Sequence, residues 1–251
     1  MKPKLLESFA GTRSVGKEAE KLGFEVFSSD LSAFKGIDYQ CSILDFDVGK
    51  LPWSPDVIWS SPPCTLFSNA NQKALTHHWN KIETKRRGIQ YTAKSDEARE
   101  ALDILRATIK LIRQLNPKVF YIENPAMGRM KHFDEMKGFR RVKVSYYDYG
   151  FNYWKPTNIF TNDINFVPRP FTHVTDIDPC KRNMTMKTGG AKYRSKIPPE
   201  LCNHVLISAL ENINGNLDTI NYQDLLPGSL NFRANILPRV STVGTQSSFT
   251  F

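Results

Sequence analysis

The sequence predicts an α/β fold in which a parallel β-sheet is flanked by helices on both faces. Two observations lead to this fold class. Short apolar stretches alternate with helical patterns over the first 60 residues, and a long amphipathic segment is followed by a further apolar stretch near residue 120. This alternation of strands and helices is typical of parallel sheets. A chain of 251 residues suffices for one sizeable core.

Apolar and β-branched residues are concentrated in seven short segments, which we predict to be strands. The first five cover residues 4–9, 24–28, 39–44, 56–60 and 118–122. Two later strands are predicted at residues 140–147 and 158–161. Three segments have helix spacing instead, at residues 14–22, 96–115 and 198–213. Proline at the start of the last segment suits a first helical turn, where the missing N–H is not needed.

Three stretches lack a regular pattern, at residues 69–95, 163–196 and 214–251. The first is polar and basic, and a long irregular stretch inside a compact domain is usually functional or mobile. We therefore expect a catalytic core at residues 1–162, a small insert at 163–196, and a helix at 197–213 that completes the core. The polar, turn-rich residues 214–251 are expected to form an arm.

The charge and cysteine content narrow the class of protein. Lys and Arg exceed Asp and Glu by 34 to 25, which favours a polyanionic partner, although a solubilising basic surface is also consistent with it. The four cysteines form no Cys-x-x-Cys pair and have no histidine cluster, so we expect neither zinc nor disulfides, and a reducing cytoplasm. We expect no membrane span and no secretory leader. The oligomeric state stays open.

The end of the first strand has features of a ligand-binding turn. Phe9 and Gly11 precede a helix, and glycine there allows a ligand to approach the backbone closely. Asp30 ends the second strand, where an acidic residue can accept hydrogen bonds from ribose hydroxyls. Together they indicate an adenosine-containing cofactor. The full Gly-x-Gly-x-x-Gly of a dinucleotide site is missing, which disfavours a dehydrogenase.

The fourth and fifth strands end in residues with chemistry of their own. Pro62 and Pro63 fix the backbone just before Cys64, which suits a nucleophilic thiol. Glu123 and Asn124 follow the fifth strand. Because neighbouring ends of parallel strands meet at one edge of a sheet, we expect Cys64 and Glu123 to address the same small molecule.

These motifs resemble the DNA cytosine-C5 methyltransferase family, in particular its short bacteriophage-type members, which carry Glu-Asn-Pro. The resemblance covers residues 4–162 and 187–213, and it implies a Rossmann-like sheet with a small irregular target-recognition insert. It implies that Cys64 adds to cytosine C6 and that Glu123 holds the N3 edge, in a base extruded from double-stranded DNA. S-adenosylmethionine is the implied methyl donor, in a bacterial or phage-infected cell, with restriction-modification among the possible roles.

The resemblance also assigns candidate site residues. The catalytic set is Cys64, Glu123, Asn124 and Lys155. The residues implied to contact the cofactor are Phe9, Gly11, Thr12, Asp30, Leu31, Ser42, Ile43, Asp45 and Pro62. The basic residues expected to contact DNA are Lys85, Arg86, Arg87, Lys181, Arg182 and Lys187.

The sequence departs from the family pattern at two places. The family's Gln-x-Arg-x-Arg is replaced by Tyr153, Lys155 and Thr157, so that Lys155 keeps one positive charge without the forked geometry of arginine. The third-strand aspartate for the adenine amine is replaced by Ser42, with Asp45 three residues later as a substitute.

Three alternatives remain open at this point. The same chemistry can act on tRNA or on a free cytosine nucleotide, although a small nucleotide needs no extended basic surface. An altered S-adenosylmethionine is a second possibility. A catalytically silent nucleic-acid-binding homologue is the third, and the presence of both Cys64 and Glu123 disfavours it.

Overall fold

A computed structural model describes residues 1–68, 77–85, 88–182 and 195–215. Its central feature is a seven-stranded sheet, and a two-stranded hairpin lies beside it. The strands in chain order are β1 (Lys4–Ser8), β2 (Glu25–Asp30), β3 (Tyr39–Gln40), β4 (Val57–Ser60), β5 (Trp79–Thr84), β6 (Gly88–Ala93), β7 (Val119–Pro125), β8 (Arg140–Ser145) and β9 (Pro156–Thr161).

The order of strands in the large sheet is β3-β2-β1-β4-β7-β9-β8. The first five strands are parallel to one another. Strand β9 is inserted between β7 and β8 and is antiparallel to both. The predicted Rossmann-like α/β class is confirmed, because crossover connections from β1 put the chain on both sides of this sheet.

The helices are α1 (Ser14–Lys21), α2 (Asp96–Leu115), the short α3 (Pro179–Arg182) and α4 (Pro199–Asn214). Helices α1 and α4 pack together on one face of the sheet, where Val15, Leu201 and Val205 share a core with β1 and β4. Helix α2 covers the other face through a second core that contains Leu105 and Ile109. Each face therefore buries apolar surface against a helix, which is the main source of stability for such a layered fold.

Local signals explain where α2 begins and ends. The Ser95 hydroxyl accepts a hydrogen bond from the Ala98 N–H at 3.2 Å, and Asp96 and Glu97 occupy the first turn, where they oppose the positive end of the helix dipole. Asn116 ends the helix in the left-handed conformation, which asparagine tolerates better than most residues.

Two predicted elements differ from the structure. Residues 69–95 were expected to be irregular, but β5 and β6 form an antiparallel hairpin within them, with Trp79 opposite Ala93. The third strand was expected to reach residue 44, but it ends at Gln40 and a 3-10 turn (Ile43–Asp45) follows. The reason is that the Ser42 hydroxyl accepts from the Leu44 N–H at 3.2 Å, which caps a turn instead of extending the strand.

The expected boundaries of core, insert and arm stay predictions. Residues 163–182 contain a 3-10 turn (Val174–Asp176) and α3 and are otherwise irregular. Residues 183–194 and 216–251 lie outside the described residues.

Glu7 is a buried carboxyl group that joins β1 to the start of α1. Its two oxygens accept from the N–H groups of Val15 and Gly16, each at 3.0 Å. Burial raises the pKa of Glu7 to about 7, although these two N–H groups and Arg13 act in the opposite direction. A Cβ at position 16 would lie 2.6 Å from a Glu7 oxygen, so a larger residue there would displace the Glu7 carboxyl group.

The raised pKa of Glu7 makes stability depend on pH in a defined window. The unfolded carboxyl ionises near its ordinary value of 4.5, before the folded one does, so the contribution is complete below pH 4.5 and is lost as the pH rises to about 7. The loss amounts to about 3 kcal/mol. Chemical denaturation of wild type and Glu7→Gln between pH 4.5 and 8 measures it. Parallel curves for the two proteins would contradict the assignment.

Candidate active site

The loop that carries Cys64 (residues 61–68) and the end of β7 that carries Glu123 meet where two parallel strands finish side by side. Ser60 of β4 pairs with Ile122 of β7, so the residues after each lie at the same edge of the sheet. Cys64 is half-buried in the loop that leaves β4, and Glu123 is 8 % exposed. The predicted approach of these two segments agrees with the sheet register.

A buried amide ties the two strand ends together. Asn124 Nδ2 donates to the carbonyl of Pro62 at 3.3 Å. Asn124 Oδ1 is buried and makes no hydrogen bond to the described residues. A Cβ at Gly128 would lie 2.9 Å from the Phe67 carbonyl, so the segment after β7 passes directly under the nucleophile loop. We define the nucleophile loop as residues 61–68.

The nucleophile loop is held by hydrogen bonds to its carbonyl groups. Within the loop, the N–H groups of Phe67 and Ser68 both donate to the Cys64 carbonyl, at 3.0 and 2.7 Å. From outside, the Arg129 N–H donates to Phe67 at 2.7 Å, and the Trp79 indole donates to Leu66 at 2.8 Å. This network fixes the backbone that carries Cys64, which is what a positioned nucleophile requires.

Arg129 places a buried positive charge beneath the nucleophile loop. It is 1 % exposed, and its Nη1 donates to the Ser68 carbonyl at 3.2 Å. Its other two guanidinium nitrogens make no hydrogen bond to the described residues, and none of those residues forms an ion pair with it. Burial lowers the pKa of Arg129, whereas Tyr91 acts to raise it. The charge has the sign that stabilises a thiolate over a thiol.

Tyr146 holds the Glu123 carboxylate, and the sequence did not reveal it. The Tyr146 hydroxyl donates to Glu123 Oε1 at 3.1 Å. Burial, followed by the charge of Glu123, raises the pKa of Tyr146 well above 10, so the hydroxyl keeps its proton and remains a donor. Because one carboxylate oxygen is engaged in this way, the other is left to face a substrate.

Lys155 reaches this pair indirectly. Its Nζ lies 4.3 Å from the centre of the Tyr146 ring, a cation–π geometry. The Tyr146 N–H also donates to the Lys155 carbonyl at 3.1 Å. The expected catalytic role of Lys155 stays a prediction, and the structure links it to Glu123 through Tyr146. The other two residues that replace the family's motif, Tyr153 and Thr157, are both buried.

The turn after β1 has the backbone geometry of a close-approach site. Phe9, Gly11 and Arg13 all adopt positive φ values, of 56°, 51° and 57°. The Gly11 N–H donates to Asp30 Oδ2 at 2.9 Å, so Asp30 braces the turn. No atom lies within 4 Å of a Cβ built at Gly11, so this side of the turn is open. Thr12 is half-buried beside it.

The other candidate cofactor residues surround this turn. Leu31 is 69 % exposed directly after β2. The Cys41 N–H donates to the Asp30 carbonyl at 3.0 Å, which brings Ser42, half-buried Ile43 and exposed Asp45 next to it. The Ile197 N–H donates to Ser14 Oγ at 3.4 Å, so the start of α4 lies on the opposite side of the turn. Pro62 is buried at the end of β4.

Glu7 decides which class of cofactor the turn can accept. A dinucleotide needs free N–H groups at the helix N-terminus to bind its pyrophosphate. In α1 the N–H groups of Val15 and Gly16 are already taken by the Glu7 carboxyl group. A carboxyl at this place opposes a phosphate and is compatible with a cationic sulfonium. The residues present therefore fit S-adenosylmethionine.

A cavity of about 210 Å³ adjoins the nucleophile loop. It lies between that loop and the first half of α2, with apolar walls and two carboxylates. The lining residues are Pro63, Thr65, Leu66, Glu97, Glu100, Ala101 and Ile104.

The residues expected to contact DNA are only partly described. Lys85 is exposed at the turn between β5 and β6. Arg86, Arg87 and Lys187 lie outside the described residues. Lys181 and Arg182 belong to α3, and only their backbone is described. These contacts stay predictions.

Neither a metal site nor a membrane-spanning helix is found among the described residues. No group of three or more His, Cys, Asp or Glu in the described ranges is arranged to hold a metal ion. Within the same ranges, no helix combines the length and the apolar character that a membrane span requires.

The mainly parallel sheet, with Cys64 and Glu123 after two neighbouring strands, has the layout of a methyltransferase-type α/β enzyme. No protein-family model matches the sequence. A protein of Frog virus 3 (isolate Goorha) named "Probable DNA (cytosine-5)-methyltransferase" is 33% identical over 171 residues, which are 66% of this chain and 73% of that protein. The chain belongs to the DNA (cytosine-5)-methyltransferase family.

A solved structure was also compared with the chain. It is described as a "putative DNA modification methyltransferase" encoded within a prophage (E. coli), with 16% sequence identity and a TM-score of 0.44. The alignment covers 68% of this chain, and the chain spans 52% of that protein.

The Tyr146 hydrogen bond predicts a specific kinetic effect. Tyr146→Phe removes only the donor to Glu123, a charge-assisted bond of about 1.5–3 kcal/mol. We expect the rate of methyl transfer in a single turnover to fall roughly 10-fold to 100-fold, with little change in KM for DNA. Tyr149→Phe is the matched control, because Tyr149 is buried in the same 3-10 turn but contacts His204 at 3.1 Å. Equal losses in both variants would contradict the role of Tyr146.

Proposed function

We propose that this chain methylates cytosine at C5 in DNA, with Cys64 as the nucleophile and S-adenosylmethionine as the methyl donor. The observation that carries the proposal is the junction of the two strand ends. Asn124 binds the Pro62 carbonyl at 3.3 Å, which holds the Cys64 loop against the residue that follows Glu123. A thiol and a carboxylate can then act on one planar ring.

The cofactor is proposed to lie at the turn after β1. Its contacts would come from Phe9, Gly11 and Thr12 of the turn, Asp30 and Leu31 of the second strand end, and Ser42, Ile43 and Asp45 beyond the third. S-adenosylmethionine supplies an electrophilic methyl group. Buried Pro62 would contribute a contact from the nucleophile loop itself.

Cys64 would activate the base by covalent addition. C5 of cytosine is a poor nucleophile until a group adds to C6, so the Cys64 thiolate forms a bond from Sγ to C6 and electron density moves to C5. C5 would then take the methyl group, whose former sulfonium carrier is left as a neutral thioether. Loss of the C5 proton to solvent restores the double bond and breaks the bond from Sγ to C6. The thiolate is regenerated, and the product is 5-methylcytosine.

Glu123 would hold the polar edge of the same ring. Its Oε1 is engaged by Tyr146, so Oε2 would accept a hydrogen bond from the exocyclic amine, or from N3 once the ring is protonated. Asn124 would act mainly through the Pro62 carbonyl, as a positioning residue. Buried Arg129 would favour the thiolate and steady the loop, since it contacts the carbonyl of Ser68.

DNA is the proposed substrate for two reasons. The name of the Frog virus 3 relative refers to DNA, and the chain carries a formal charge of +9. In a duplex, C5 and C6 of a stacked cytosine are shielded, so the base has to be extruded into the site. Cys64 is only half-buried, which is consistent with access of an extruded base to its thiol.

A duplex library that contains 5-fluorocytosine tests the function. Fluorine at C5 blocks the elimination, so the bond between Cys64 and C6 persists after methylation. We expect a denaturant-resistant adduct that needs S-adenosylmethionine, is lost in Cys64→Ala and is retained in Cys180→Ala, which changes an exposed cysteine.

The outcome without an adduct is equally informative. If wild type traps structured RNA but not the duplex library, DNA is the wrong substrate and the cytosine chemistry stands. If Cys64→Ala still forms the adduct, the assignment of the nucleophile is wrong.

A further inference from the structure

The edge strand β8 presents two cations on one face. Its residues alternate, with Val142 and Val144 buried toward the α1 and α4 core, whereas Arg141 and Lys143 are exposed on the opposite face. Successive side chains of a strand point to opposite faces, so these two cations share a side. They lie roughly 6.6 Å apart along the strand.

The segment after β7 adds a further cation, Lys131, on this side. Met130, in the 3-10 turn Met130–His132, is buried in the core beneath α2, which puts the turn over the same face of the sheet. The Lys131 Nζ donates to the Ala126 carbonyl at 2.7 Å, three residues beyond Glu123. The basic group therefore begins immediately beside the candidate active site.

The cations on this face are close enough to influence the pKa values of the groups between them. Burial lowers the pKa of Lys131, and the charges of Arg141 and Lys143 lower it further. Burial also lowers the pKa of His132, with added effects of Lys131, Arg141 and Lys81. Lys81 lies on β5 of the hairpin, so the group extends from the hairpin to the sheet edge.

These cations are not neutralised by nearby acids. Among the ion pairs of the described residues, none involves Lys131, Arg141 or Lys143. The acids next to the turn are already paired, as Asp134 binds Lys137 and Glu135 binds Arg106. Of the basic residues in this group, Lys81 alone forms an ion pair, with Glu83 at 2.8 Å. Both side chains are exposed, so the pair contributes little.

We propose that this basic strip, defined as Lys81, Lys131, Arg141 and Lys143, binds the phosphate backbone of the duplex beside the extruded cytosine. The proposal rests on the proposed function and names the surface through which the substrate is held. It differs from the residues that the sequence suggested, which are at positions 85–87, 181, 182 and 187. Contacts of this kind set the register of a protein on DNA without reading its sequence.

The surroundings of the strip favour a duplex over a single strand. Single-strand sites depend on exposed aromatic rings on which bases stack. Here the Phe171 ring is covered by Lys143 Nζ at 4.0 Å and packs on Trp154 and His173. Tyr91 likewise packs against His132. The strip therefore offers charge on rigid elements rather than open ring faces.

The salt dependence of binding tests the proposal. The double variant Arg141→Gln with Lys143→Gln is compared with wild type on a fluorescein-labelled duplex. Two lost phosphate contacts should reduce the slope of log K against log salt by about 1.8. At about 0.1 M salt this corresponds to a roughly 60-fold loss of affinity. Arg141→Lys with Lys143→Arg keeps both charges and should restore most of the slope.

The control removes two cations elsewhere on the surface. Lys17 on α1 and Lys110 on α2 are exposed, and neither forms an ion pair among the described residues. Lys17→Gln with Lys110→Gln should leave the slope close to that of wild type. An unchanged slope in the strip variant, or an equal reduction in the control, overturns the proposal. So does a loss confined to an RNA hairpin of the same length.

The adduct assay separates this proposal from the function. If wild type traps 5-fluorocytosine DNA and the strip variant keeps its slope, the function stands and the strip is wrong. If no protein traps the DNA but the strip variant loses its slope, the strip stands and the cytosine chemistry is wrong. At low salt and saturating duplex, the strip variant should still form the adduct.

Discussion

The hydrogen bond from Asn124 to the Pro62 carbonyl is the contact on which the candidate site depends. Parallel pairing of β4 and β7 brings the strand ends together, but the segments that follow the two strands then diverge. The Asn124 side chain crosses that gap at 3.3 Å and joins the two departing segments. Because the bond is buried, water does not compete for it, and its loss would leave a carbonyl unsatisfied.

Buried ionisable side chains are a second feature of the site and its surroundings. Arg129, Glu7 and Glu123 are all shielded from water, and each is held by hydrogen bonds. Such groups cost stability unless their hydrogen bonds are well made. Arg129 lies under the nucleophile loop, Glu7 lies at the turn proposed to bind the cofactor, and Glu123 lies where the base edge is proposed to bind. Pre-oriented charge is how such sites favour a transition state.

Much of the fold could be predicted because its signals are local. The alternation of strands and helices, the Ser95 cap of α2 and the proline at the start of α4 all appear in short windows of sequence. The hairpin escaped prediction because five of the six residues of β5 are exposed, which leaves no alternation of apolar and polar side chains. The place of β9 between β7 and β8 depends on pairing across more than 30 residues, which no local pattern encodes.

The candidate site shows the same division. Cys64 and Glu123 stand out because each follows a predicted strand in a distinctive motif. Tyr146 is one of three tyrosines in four residues, and only the tertiary structure shows which of them reaches Glu123. Arg129 has no sequence signal, since an arginine after a glycine is ordinarily a surface residue.

A crystal structure of the 5-fluorocytosine adduct tests the central claim, that Cys64 and Glu123 act on one cytosine. The account predicts a bond from Cys64 Sγ to C6, with a Glu123 oxygen roughly 2.6–3.2 Å from N3 or the exocyclic nitrogen of the same ring. Tyr146 should remain on the other Glu123 oxygen. A ring bound through a different cysteine, or a Glu123 carboxylate turned away from the base, would contradict it.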